Sequence, residues 1–346
     1  MLKDMCRWII ILLSLFLSGC AEIGHYLQLA GGQLEIISKR QPIDELINDP
    51  DTDSKLKARL QQVVEARQFA VMELQLPDSG SFQSYVQLDR RYVMWNVFVT
   101  EEFSMQPKRW CYLFFGCISY RGYFDKQKAL DYAREQSDEG YDTHVAPVAA
   151  YSTLGWFDDP LTSTLLRYEP ERLAGFIFHE LAHERLYVRD DTTFNESFAM
   201  TVQHKGMGKW LARQGSQTGL ERYMKEQRMD DEFIELLMDY RGQLVALYEK
   251  DISDDEKRRQ KAALFMQLRE DYQKLRDSWG DYTVYDGFFR HRLNNATLSP
   301  VGTYHELVNN FSNIYEQRGG FSGFYQEAER IGELPFEQRR KELRKY

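Results

Sequence analysis

Residues 176 to 206 read FIFHELAHERLYVRDDTTFNESFAMTVQHKG. Within this stretch, His179-Glu180-Leu181-Ala182-His183 sets two imidazoles four residues apart. On a helix that is about one turn, so both rings can reach a single zinc ion at about 2.0–2.1 Å, with Glu180 beside them. A catalytic zinc also needs a third protein ligand and one open position. Glu196, thirteen residues beyond His183, is the best-placed carboxylate. Glu184, Asp190 and Asp191 are its rivals. Glu184 points about 100° away from His183, and an aspartate of the intervening turn could instead accept a histidine N–H from outside the ligand set. The bland alternative makes Glu196 a first-turn residue that offsets the helix dipole behind an Asn195 cap.

The surroundings favour a site. LAGFIFHELA, residues 173 to 182, is almost wholly apolar around His179 and Glu180. Ionisable groups on a buried helix cost several kcal/mol unless they are paired or bind metal. FNESFA repeats the pattern, with Glu196 between Phe194 and Phe198.

These groups need elements to hold them. Pro170 suits the first turn of a helix carrying His179 and His183, a charged turn follows, and a second helix carries Glu196, with Gly206 and Gly208 as natural stops. Upstream, Leu56, Leu60, Val63, Val64, Ala70, Val71 and Leu74 share one helical face, capped by Asp53 or Ser54. YVMWNVFVT (92–100) reads as a strand, a helix runs over about 125–138 and ends at Gly140, and 143–157 is extended. Residues 21 to about 50 suit a membrane-proximal helix broken by, or starting near, Gly31-Gly32. Residues 219 to 279 read as a long helical hairpin whose charges are solvated. The fold class is therefore α+β, mostly helical, with a small sheet beside the active-site helix.

The chain has 346 residues, 43% hydrophobic and 28% charged, enough for a substantial core. Its first residues differ from the rest: Lys3 and Arg7, then an apolar run from Trp8 to Leu17 that is too short to span a bilayer, then Leu-Ser-Gly-Cys. This reads as an export signal over residues 1–19, with Cys20 as a lipidated first residue of a mature chain, 20–346, that forms one domain. Ala21, rather than aspartate, favours the outer membrane by analogy with Gram-negative lipoproteins. Removing the leader leaves the chain one unit more acidic than −9. With no basic stripe, nucleic acid is excluded as a partner. Cys111 and Cys117 can close a small disulfide loop or remain buried thiols.

HELAH with FNESFA resembles the glutamate-ligand zincins. YRGYFD (120–125), AYSTLGWFDDP (150–160) and NNATL with TYHELV (294–308) extend the likeness to the zinc aminopeptidase family of Gram-negative lipoproteins, over nearly the whole chain. The resemblance implies a zincin-like fold, one zinc held by His179, His183 and Glu196, and Glu180 as catalytic base. The gap from His183 to Glu196 is shorter than in the best-known glutamate zincins.

Tyr304 and His305 are candidates for the donor that stabilises a tetrahedral oxyanion. Ser152, Thr153, Leu154 and Gly155 could form an extended edge that pairs with a peptide substrate, or an internal strand and turn. Capture of a free α-amine would need an acid, for which Asp158, Asp159, Asp190 and Glu184 are all open. The alternatives to a peptidase are a lipoprotein scaffold with a non-catalytic zinc and an amidase acting on cell-wall peptide. Glu180 speaks against the scaffold, since a closed structural site needs no base.

Overall fold

The computed structural model describes residues 23–112, 116–149, 158–215 and 217–346. Cys20, the leader, and Ser152, Thr153, Leu154 and Gly155 lie outside the described residues.

Helix α1, residues 23–38, runs straight through Gly31 and Gly32, where the sequence suggests a break or a start. A Cβ on Gly32 would stand 2.1 Å from the Phe124 ring. Glycine here serves close packing, not termination. After β1 (Gln41–Pro42) and α2 (Ile43–Asn48) comes α3 (Ser54–Leu74). Asp53 caps it by accepting from the Lys55 and Leu56 amides, and Leu60, Val63, Phe69, Ala70 and Leu74 enter the core from one face.

The strands β2 (Ser84–Val86), β3 (Met94–Thr100), β4 (Trp110–Tyr112), β5 (Gly116–Ile118) and β6 (Arg121–Tyr123) precede α4 (Lys126–Asp138) and β7 (Asp142–Val148). β3, rich in aromatic and β-branched residues, is the centre of an antiparallel sheet ordered β6-β3-β7. β2 lies between β1, to which it is antiparallel, and β8 (Leu161–Thr162), to which it is parallel. β4 and β5 form a two-stranded clip in which a disulfide joins Cys111 and Cys117.

α5 (Pro170–Arg185) and α6 (Thr192–Arg213) pack on each other and on α3. Their contact buries Leu173, Ile177, Phe178, Phe194, Phe198 and Val202. α6 does not stop at Gly206 or Gly208. A Cβ at Gly206 would stand 2.7 Å from Leu74 and 3.1 Å from Phe178, so this glycine lets three helices approach at one point.

α7 (Gln217–Tyr248) and α8 (Asp254–Ser278) form the long hairpin, with Phe233, Tyr240, Leu244, Leu268 and Tyr272 between them and the following segment. α9 (Asn295–His305), α10 (Val308–Gln317), α11 (Phe321–Gly332) and α12 (Phe336–Leu343) complete a mostly helical α+β chain. Among the described residues no helix is long and apolar enough to cross a membrane.

α9 touches α6, α7, β3 and β7 at once. Asn294 caps it in a reciprocal box with Thr297. The next residue, Asn295, is fully buried. Its amide reaches the carbonyls of Glu101, Glu102 and Ser104 at 3.3, 3.0 and 3.1 Å, and its oxygen accepts the Tyr248 hydroxyl at 2.7 Å. One side chain therefore ties the hairpin and the end of β3 to the start of α9. Asn295→Ala takes the partner from the Ser104 carbonyl and the Tyr248 hydroxyl, while the Glu101 and Glu102 carbonyls keep the Ser104 amide and Lys261 as donors, for an expected loss of about 2–3 kcal/mol, against about 1 kcal/mol for the cap variant Asn294→Ala. Urea unfolding at unchanged slope reads both, and equal losses would deny Asn295 its tying role.

Candidate active site

Four ionisable side chains meet where α5 crosses α6. His179, His183 and Glu196 are 7%, 5% and 9% exposed. His179 Nε2 lies 3.2 Å from His183 Nε2, and Glu196 Oε2 lies 3.3 Å from the first and 3.5 Å from the second. Two ligands of a tetrahedral ion bound at 2.0–2.1 Å stand about 3.3–3.4 Å apart. The triangle therefore has the edges of three corners of such a coordination sphere, and among the described residues it is the one His/Cys/Asp/Glu group that could hold a metal. Two imidazoles and a carboxylate suit a first-row divalent ion.

Glu180 stands outside the triangle. Its Oε2 is buried without a hydrogen-bond partner, as are the Nδ1 atoms of both histidines. Burial pushes the Glu180 carboxyl above the usual carboxylate range against the pull of His179 and His183. Glu196 is subject to the same burial, but His183 and His179 outweigh it and hold its carboxyl down at about 2. Two carboxyls in one pocket are thereby pushed apart, one fixed as an anion and one able to exchange a proton.

The turn between the helices decides the rival ligands. Asp191, not Asn195, caps α6 by accepting from the Phe194 amide at 3.1 Å, so Glu196 stands beyond the first turn. The Asp191 carboxylate is also paired with Arg339 at 2.6 Å and Arg340 at 2.9 Å. Asn195 clips the turn, accepting from the Val188 amide at 2.7 Å and donating to the Val188 carbonyl at 2.8 Å. Asp190 faces the disulfide clip, where its Oδ1 accepts the Cys117 amide at 2.7 Å. Gly116 admits this contact: its φ is +76° and a Cβ would stand 2.6 Å from that oxygen. Both aspartates are structural. Glu184 lies outside the group, half-buried one turn beyond Glu180 and close enough to raise Glu180's carboxyl.

α9 brings its end to the same place. Ser197, next to Glu196, donates to the Tyr304 carbonyl at 3.2 Å and accepts the Leu307 amide at 3.3 Å. Burial, then the charge of Glu196, keeps the Tyr304 hydroxyl protonated far into the alkaline range. His305 is carried to about 4 by burial and by His179, so its ring is neutral at pH 7.

Two further residues at the site are not singled out by sequence reasoning. Tyr120, just before β6, rests its ring on Phe98 at 5.6 Å, and burial with Glu196 and Glu180 nearby raises its hydroxyl as well. His204 neighbours His305 and His179, and burial lowers its ring to about 3. His204 is eight residues beyond Glu196 on α6, about 80° round the helix from it, so the helical period alone does not single it out.

No curated protein and no solved structure gives a significant match to this chain. A family described as "Putative aminopeptidase" matches residues 24–343. That span takes in α5, α6 and α9 whole, and the chain belongs to this family.

Proposed function

We propose that the protein is a zincin-like zinc metallopeptidase that removes residues from the free N-termini of peptides. The observation that carries this reading is the buried triangle of His179 Nε2, His183 Nε2 and Glu196 Oε2 with edges of 3.2–3.5 Å, set beside the unpaired Glu180 carboxyl. These three atoms would hold one zinc per chain. When bound, the ion supplies Lewis acidity toward a carbonyl and makes water a nucleophile near neutral pH.

The protein's own groups do the rest. Glu180, its pKa raised by burial, accepts the proton of the attacking water at Oε2 and passes it to the departing amine. Tyr304 keeps its proton and donates a hydrogen bond to the oxygen that becomes negative at the scissile carbon. His305, neutral and on the same helix end, stands behind it as a second donor. Glu184, which makes none of the structural contacts of Asp190 and Asp191, is the acid we assign to a substrate's α-ammonium. Peptide main chain would run along the 152–155 segment.

The leader motif and Cys20 support export and lipid anchoring at the periplasmic face of a bacterial membrane, the outer one by the residue after the cysteine. The Cys111–Cys117 disulfide fits an oxidising compartment.

Metal analysis of the purified protein should find about one zinc per chain in wild type and in Glu180→Gln, and almost none in Glu196→Ala. A wild type that is metal-free after zinc-replete purification would end this reading. Unblocked peptides should be cleaved, and their N-acetylated forms at least about 100-fold more slowly. Glu184→Gln should raise KM for unblocked peptides with kcat little changed, since the α-ammonium contact is made equally in ground and transition states. Equal cleavage of blocked and unblocked peptides would make the enzyme an endopeptidase. Tyr304→Phe should keep its zinc while kcat falls about 10²–10³-fold, the usual cost of losing an oxyanion donor. An undiminished kcat would pass that role to His305 or Tyr120.

A further inference from the structure

α1 has two faces of opposite use. His25, Gly32 and Ile36 are buried against the body of the protein. On the other side Ile23, Leu27 and Leu34 are 61%, 67% and 65% exposed. Tyr26, Ala30 and Ile37 are exposed with them. At about 100° per residue all six fall within roughly a third of the helix circumference. Exposed apolar side chains scattered singly are ordinary on a protein surface; a continuous stripe along one helix is not.

What covers the stripe can be argued from its size and its place in the chain. A second copy is a poor occupant. The helix is about 24 Å long and its stripe about 10 Å wide, which offers roughly 240 Å², against about 800 Å² per partner in a stable interface. A bilayer needs no such area on one molecule. Ile23 follows Cys20 by three residues, and the apolar run Trp8–Leu17 lies just before that. Three residues span at most about 11 Å. Whatever holds Cys20 at a membrane therefore holds the start of α1 at its surface. The full chain is acidic, with a net charge of −9, so the attraction must be apolar and not a polybasic one to anionic headgroups.

We propose that α1 lies along the lipid–water interface, with this stripe among the acyl chains just below the headgroups. The proposal rests on the reading that the chain is held at a membrane through its N-terminal end. It adds an orientation that a flexible lipid tether alone would not impose. Ile36, on the opposite face of α1, lines a small cavity together with Glu180, so the helix that meets the lipid also meets the catalytic wall.

The test uses the full chain reconstituted in phosphatidylcholine vesicles, with a photoreactive benzophenone side chain at Leu27, at Leu34 or at the exposed Met266 of α8. Irradiation should give phospholipid adducts at positions 27 and 34 in about tenfold greater yield than at 266, and added salt should not reduce them. Adduct yields at 27 and 34 no greater than at 266, or adducts there chiefly with another protein chain, overturn the proposal. The mass of the mature N-terminus, read on the same sample, reports separately whether Cys20 carries lipid, so failure of the anchoring reading is distinguished from failure of this one.

Discussion

Placing two imidazoles and two carboxylates in one buried patch is the constraint on which the rest of the structure depends. Such groups cost several kcal/mol in a dry interior unless each charge is answered. His179, His183 and Glu196 answer one another across the α5–α6 contact. That contact cannot slide by a turn without stranding them, and its apolar flanks, Phe178 against α3 and Phe194 and Phe198 against the C-terminal helices, fix the register. Gly206 completes the arrangement by letting Leu74 and Phe178 reach the α6 backbone.

Around this pair the remaining elements act as positioning devices. α9 carries no ligand of the triangle, yet Ser197 holds its far end one residue from Glu196. At its near end Asn295 gathers three carbonyls and a tyrosine hydroxyl. The hairpin α7–α8 joins through Tyr248 and through Lys261, whose partner Asp142 opens β7. Not all of its charges are solvated: Asp230 accepts the Tyr282 and Tyr285 hydroxyls, Glu232 accepts the Trp279 indole N–H, and Arg258 forks onto Glu102.

The local periods of the sequence reach far into this architecture. His179 and His183 are legible because four residues make one helical turn, and Glu196 because its neighbours Phe194 and Phe198 mark a packed face. Asp53 is legible as a cap because the residue type and the following apolar period agree. The glycines are not, since the same residue ends a helix or admits a neighbour, and only the neighbour decides. Gly32 faces Phe124 and Gly206 faces Leu74, each from a distant segment. Asp191 takes the capping part expected of Asn195 for the same reason: Arg339 and Arg340 arrive from α12, about 150 residues away, and hold its carboxylate. Tyr120 stands just before β6, whose pairing with β3 no local period announces.

The disulfide clip has a bearing on the unfolded chain as well as on the folded one. Closing the loop between Cys111 and Cys117 restricts the unfolded chain. The same clip presents the Cys117 amide to Asp190, and the neighbouring Arg109 donates to the Asp190 carbonyl at 2.8 Å. The bend that brings α5 back along α6 is thus gripped from outside by a clip that the disulfide closes. A covalent link in the sheet region thus bears, through Asp190, on the turn that sets His183 against Glu196.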